Sequence, residues 1–252
     1  MKTSKTIMHK IIAGSLFALV AMAGTQATAA DVTAGVDVNS AYVWRGITFN
    51  DSFVAQPSVD VAHESGLGFN VWGNYDLDDY STGGQTIVDS GEFSEIDLTV
   101  SYAVPVEGFD LGVGLIEYLF PEAGADTNTR EVYAAVGFDL GGGLSTGGFI
   151  AYDFDEIEDF YANISAAYGH DVSEELSVEL AGLIGFAGND FSSGTDSGAH
   201  EWQVSLSGAY ALSDATELGA FVTYTDSVDD DVLVDAAADV DVFGGVSVYY
   251  SF

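Results

Sequence analysis

Apolar and polar side chains alternate along nearly the whole chain after about residue 31, at the two-residue period of a strand with one face turned to an apolar medium. Val32, Ala34, Val36 and Val38 alternate with Thr33, Gly35, Asp37 and Asn39, and the run carries on toward Tyr42-Val43-Trp44. Further runs cover 55–61, 69–77, 96–102, 109–115, 132–138, 144–152, 160–168, 176–186, 202–210, 218–224 and 240–252. The pattern predicts an all-β protein of about 12 strands. The connections sharpen this. Tight turns at 64–68, 105–108, 141–143, 170–175 and 213–216 alternate with longer, mostly acidic stretches at 47–53, 78–91, 121–129, 188–199 and 226–239. Only 153–159 is short where the alternation requires a long one.

An even strand number, strands of bilayer-crossing length, and tight turns at one end with long loops at the other define the expectation. It is a single closed antiparallel transmembrane β-barrel with a periplasmic N-terminus and external long loops. A secreted β-sandwich would bury the same apolar face in a core, but the strand lengths and loop alternation favour the barrel. Closure would also satisfy backbone groups that hydrocarbon leaves unpaired at several kcal/mol each.

The two ends of the chain fit this picture. Lys2, Lys5 and Lys10 precede an apolar stretch over 11–23, and the small residues Ala27-Thr28-Ala29-Ala30 follow. This predicts a signal peptide over 1–30, cleaved after Ala29 or Ala30, with the barrel over 31–252. The apolar stretch, broken by Gly14 and Ser15, is too short for a spanning helix. At the other end Val246, Val248, Tyr250 and Phe252 alternate with Ser247, Tyr249 and Ser251 up to the final residue. This resembles the C-terminal signal of bacterial outer-membrane barrels. The resemblance implies insertion by the barrel assembly machinery, with Val248, Tyr250 and Phe252 as the signal, into the outer membrane of a Gram-negative cell.

Charge narrows the partners. The net charge is −35 although 48% of residues are hydrophobic, which is not the composition of a disordered acidic tail. Every lysine lies in the leader, leaving Arg45 and Arg130 as the only strong bases against 40 acidic residues. Nucleic acid is excluded as a partner, because phosphate binding needs clustered Lys or Arg. The absence of cysteine removes disulfides, thiolate metal sites and a lipidated N-terminal cysteine. No cofactor is implied.

Between residues 39 and 77 the chain carries Asn39-Ser40-Ala41-Tyr42-Val43-Trp44-Arg45-Gly46-Ile47, Gln56-Pro57, His63-Glu64-Ser65-Gly66 and Val71-Trp72-Gly73. These blocks resemble the opening of the TorF-like family of outer-membrane porins, a bacterial family formerly of unknown function. The match covers about the first two hairpins after the leader; the later strands are too generic to test it. The resemblance implies a barrel with a channel role, and brings no substrate and no catalytic residue.

The candidate lumenal residues follow from strand parity. Asp37, Asp60, Asp76, Glu95, Asp97, Asp110, Glu131, Asp139, Asp153, Glu179, Glu201, Glu217 and Asp241 lie on the polar face. Charge on the lipid face is costly, so they are expected inside or at the rims. Arg45 shares the parity of Asp37 and Asn39, and is expected to pair with a lumenal carboxylate. A carboxylate-lined lumen attracts cations and repels anions, which predicts a narrow pore for small cationic or neutral solutes. The alternative places these acids in solvated ends of a closed structural or surface-interaction barrel. Twelve strands fall between the filled eight-stranded and open sixteen-stranded barrels. Gly112, Gly114, Ala135, Gly137, Ser205 and Ser207 would leave room, while Tyr118, Phe120, Phe149, Phe221 and Phe243 would fill it.

Trp44, Tyr75, Tyr102, Tyr152, Tyr168, Trp202, Tyr210, Tyr224 and Tyr250 are expected to form interfacial girdles. Trp72, on the polar parity, is the candidate for a stacking role inside the pore. The acidic runs at 226–239, with Asp229, Asp230 and Asp231, and at 153–159 carry hard oxygen ligands suited to Ca²⁺, but lack the glycine-positioned spacing of a calcium loop. Among the histidines after the leader, only His200 lies beside an external loop with serines, Ser192 and Ser193, and no motif supports a hydrolase.

Overall fold

The computed structural model describes residues 30–82, 85–123 and 127–252. The expected signal peptide lies outside the described residues except for Ala30. Among the described residues there are sixteen strands: β1 (Ala30–Asn39), β2 (Tyr42–Trp44), β3 (Ile47–Asn50), β4 (Val54–His63), β5 (Leu67–Asp76), β6 (Tyr80–Thr82), β7 (Gln85–Val88), β8 (Phe93–Ala103), β9 (Asp110–Leu119), β10 (Thr129–Gly141), β11 (Leu144–Asp153), β12 (Phe160–Asp171), β13 (Leu176–Ala187), β14 (Gly198–Ala211), β15 (Thr216–Ser227) and β16 (Val242–Ser251). Twelve of them form one closed antiparallel barrel in the order β1-β16-β15-β14-β13-β12-β11-β10-β9-β8-β5-β4. β1 pairs with β16 on one side and β4 on the other, which removes both sheet edges. Each expected run became one barrel strand. β2–β3 and β6–β7 are small hairpins within the first two external connections.

The barrel is apolar outside and polar inside. Val59, Val100, Ile150, Ile164, Leu180, Leu206 and Val246 are exposed, whereas Gln56, Asn74, Thr99, Asn163, Ser205 and Thr223 are buried. Lipid therefore solvates every second side chain of each strand. Tyr152, Trp202 and Tyr224 mark one rim, with Tyr75 half-buried against Phe93; Tyr102, Tyr168, Tyr210 and Tyr250 mark the other. Trp44 belongs to neither girdle, contrary to the expectation from its place near a strand end. β1 stops at Asn39, and the chain turns inward through Ser40 and Ala41 instead of continuing to Trp44.

The inward turn produces the main internal feature, a plug. Trp44 pairs with Ile47 across a two-residue turn in which both Arg45 (φ 50) and Gly46 (φ 78) have positive φ. Such a primed turn follows the twist of a hairpin, but its first position is strained for arginine. At Gly46 a Cβ would lie 2.7 Å from Glu201 Cβ and 3.0 Å from Leu233 Cδ2, so the tip reaches the wall and only glycine fits.

Candidate functional site

The plug tip places Arg45 inside the outer half of the barrel, 3% exposed. Its Nη1 and Nη2 donate to Glu131 Oε1 and Oε2 on β10 at 2.7 and 2.6 Å, and Tyr118 OH donates to Glu131 Oε2 at 2.8 Å. The guanidinium lies 4.2 Å from the Trp44 ring centroid, 4.5 Å from Tyr161, 5.2 Å from Phe191 and 5.6 Å from Phe149. Burial, the largest single influence, pulls the guanidinium pKa down; the charge and hydrogen bonds of Glu131 together with Tyr118 and Tyr161 outweigh it and hold Arg45 above its ordinary value. A two-pronged ion pair enclosed by aromatic faces suits the planar guanidinium and would not suit lysine. The expected lumenal pairing of Arg45 is therefore present, but strand parity is not its cause. Arg45 is a turn residue, and its partner lies across the lumen instead of on a neighbouring strand.

Other contacts anchor the hairpin along its length. Tyr42 OH donates to Glu95 Oε2 at 2.9 Å, and Asn50 Nδ2 donates to Asp76 Oδ1 at 2.7 Å. Behind them a directional chain of amides crosses three strands. Asn39 Nδ2 donates to Gln56 Oε1 (2.8 Å), Gln56 Nε2 to Asn74 Oδ1 (2.9 Å), and Asn74 Nδ2 to Asp76 Oδ1 (3.0 Å). Asp76 sets the direction because an ionised carboxylate only accepts.

The external loops close over the plug. Thr48 N donates to Ala237 O, and Val240 N donates to Thr48 Oγ1. Gly194 N and Thr195 N donate to Val232 O and Asp231 O. Val232 joins Tyr161, Ala187 and Phe191 in a buried cluster against Trp44, and Leu233 is fully buried. On the far wall a bulge in β14 sets His200 and Glu201 opposite Gly185 alone. Two consecutive side chains consequently turn inward. His200 Nδ1 donates to Glu201 Oε2 at 2.7 Å, Tyr161 OH donates to Glu201 Oε1, and His200 Nε2 has no partner. Ser192 Oγ donates to Val232 O and Ser193 Oγ accepts from Val234 N, so the serines near His200 hold loops together.

The remaining carboxylates divide by depth. Asp76, Glu95, Asp97, Glu131 and Glu201 surround the plug. Asp37 accepts from Tyr249 OH at 2.6 Å, and Asp60 accepts from Asn70 Nδ2 at 2.8 Å. Near the end with the tight turns, Glu179 and Glu217 are half-buried, while Asp110 and Asp139 are exposed. Asp241 does not sit on the last strand: β16 begins at Val242, and Asp241 is exposed with its carbonyl accepting from Thr225 N. Asp153 is almost fully buried and accepts from Thr129 Oγ1 and from the backbone N–H groups of Asp155 and Ile157. This cap explains how the 153–159 connection stays short. Asp229, Asp230 and Asp231 are exposed, and Asp229 Oδ1 accepts from Asp231 N. Among the described residues no three His, Cys, Asp or Glu side chains converge on a metal position.

The small inward residues do not all leave space. Tyr133 lies across Gly114, where a Cβ would be 2.4 Å from its hydroxyl, and Tyr249 lies across Gly35, whereas a Cβ at Gly112 would meet nothing within 4 Å. Phe149 packs in the outer cluster with Tyr133 and Tyr161, and Phe221 stacks edge-on against Phe243. Trp72 lies 5.6 Å from Tyr42, ring to ring. Val248 and Tyr250 are exposed on the outer face. Phe252 is 80% exposed and ends the chain beside Tyr250, with its N–H on Val32 O. The sequence did not announce the plug or the burial of Val232 and Leu233. The Arg-Gly pair between two short apolar runs was the available sign of a tight hairpin turn.

A closed, apolar-girdled, twelve-stranded barrel with an in-folded loop has the fold of an outer-membrane β-barrel. Solved structures agree on the fold. The KdgM porin superposes with a TM-score of 0.55 at 10% identity, covering 88% of this chain and 99% of that one. A second KdgM structure, in complex with disordered oligogalacturonate, gives 0.54 at 10% identity over the same shares. The COG4313 outer membrane channel from Pseudomonas putida F1 gives 0.55 at 11% identity, covering 90% and 97%. No curated protein sequence matches. Residues 23–227 match a family described as bacterial protein of unknown function (Gcw_chp), and the chain belongs to that family.

Proposed function

We propose that this barrel is a passive outer-membrane channel whose lumen favours small cationic or neutral solutes, with the β2–β3 hairpin as its constriction. The observation that carries the reading is the inward wall. It bears Asp37, Asp60, Asp76, Glu95, Asp97, Glu131 and Glu201, and Arg45 is the one arginine buried among them. A low-dielectric wall focuses the field of such charges on anything that enters. The TorF-like resemblance of residues 39–77 supports the same role. Insertion through Val248, Tyr250 and Phe252 by the assembly machinery belongs to this reading. The oligogalacturonate named for one KdgM structure is a polyanion, and 40 acids against two arginines oppose such a solute here. Planar-bilayer recordings across a KCl gradient test the proposal. Discrete conductance steps with a cation-selective reversal potential are expected; anion preference overturns it.

A second reading has its own observation. Tyr161, Leu233 and Val232 are essentially inaccessible beneath the external loops, as in a barrel sealed for a structural or surface role. Absence of any conductance step from folded, inserted protein selects that reading.

A further inference from the structure

The wall beside the plug carries more carboxylates than its own cations neutralise. Asp76 is 1% exposed; its Oδ1 accepts from Asn50 and Asn74, and its Oδ2 has no hydrogen-bond partner. Asp97 Oδ1 is also buried without a partner. Glu95, between them on the lumen side, accepts from Tyr42 and is hydrogen-bonded to Asp97. A hydrogen bond between two carboxyl groups needs one shared proton, and so neutralises only one of the pair. Arg45 carries a single positive charge, which its two-pronged pair with Glu131 already balances. Buried carboxylate oxygens without a donor are costly, and in native proteins such groups mark a missing partner.

The surroundings define what that partner is. Trp72 on β5 stands directly opposite Asp97 on β8, and both are only half-buried, so the lumen reaches them. An indole beside a carboxylate recognises a cation that carries N–H donors and some apolar carbon.

We propose that Trp72, Asp97 and Glu95 form a binding step for a primary ammonium group, making small amines the solute class of this barrel. The proposal rests on the channel reading for transport, but on this wall alone for binding.

The test uses propylammonium and the full-length protein refolded in detergent. Saturation-transfer NMR reads binding, propanol serves as the uncharged control, and heat-modifiable gel mobility reports barrel closure in each variant. Propylammonium binds and propanol does not; Asp97→Asn weakens binding by roughly tenfold or more, the weight of a charge-assisted hydrogen bond. Trp72→Leu, which leaves the carboxylates in place, weakens it by a smaller factor. No binding, or equal binding to wild type and both closed variants, overturns the proposal. Bilayer current in KCl is read separately. Current without amine binding overturns the site and leaves the channel standing, whereas binding without current supports the site and overturns the channel.

Discussion

The two halves of the lumen are built on opposite principles. The half under the external loops is filled by an independent piece of chain, locked by one ion pair, an amide chain and aromatic packing. Among the described residues, the half toward the tight turns has no inserted segment. There the wall packs on itself at Gly35, which the Tyr249 ring covers, and stays open at Gly112. Space in the first half depends on whether the hairpin stays; in the second it depends on side-chain volume. On the proposed channel reading, the first half would set selectivity and the second the steric width.

Breaking the lock should separate the halves most strongly. Arg45→Ala leaves Glu131 buried without its cation, a change that costs about 3–5 kcal/mol when a buried pair loses one partner, and also removes the guanidinium from four rings. The hairpin should leave its seat and single-channel conductance should rise several-fold. Adding Glu131→Gln should recover part of the lost stability, measured as the denaturant midpoint in detergent, because the unpaired charge is gone. Unchanged conductance in Arg45→Ala would remove the hairpin from the role of constriction.

A smaller effect is expected from the wall of the other half. In Gly35→Ala the new Cβ would lie 2.2 Å from the Tyr249 ring, so the ring must swing away and release its hydrogen bond to Asp37. Overpacking of this kind costs about 1–3 kcal/mol. A lower thermal midpoint with a changed conductance, but unchanged cation preference, would mark this half as steric. A large change in selectivity would erase the distinction.

The least effect belongs outside both halves. Arg130 joins Glu117 at 3.1 Å and Asp155 at 3.2 Å in an exposed setting. Arg130→Ala should cost less than about 1 kcal/mol, as exposed ion pairs do, with conductance and selectivity unchanged. A marked selectivity change would place part of the filter at the rim.

Strand parity made much of this legible. The period of two assigns Val246 and Val248 to lipid and Ser247 and Tyr249 to the interior because only one face of a spanning strand meets hydrocarbon. The same rule misplaces Trp44 and reaches the lumenal position of Arg45 for the wrong reason, since parity is meaningless once the strand has ended. Nothing local distinguishes a chain that continues upward from one that turns back into the barrel. Asp241 fails for a related reason: β16 starts two residues after the expected strand, where the backbone is still occupied with Thr225. His200 faces inward only because a bulge breaks alternation at that point.

The sequence by itself determined the strand number, the closed antiparallel sheet, the long and short ends, and which face meets lipid. Those properties follow from nearest-neighbour patterning against a fixed solvent. Only the tertiary structure decided that Arg45 meets Glu131 across 86 residues, that Val232 and Leu233 help seal the outer half, and that Tyr133 occupies the space Gly114 leaves. Each of these is a contact between segments distant along the chain, selected by the shape of the enclosed volume, and no alternation along a single strand encodes that shape.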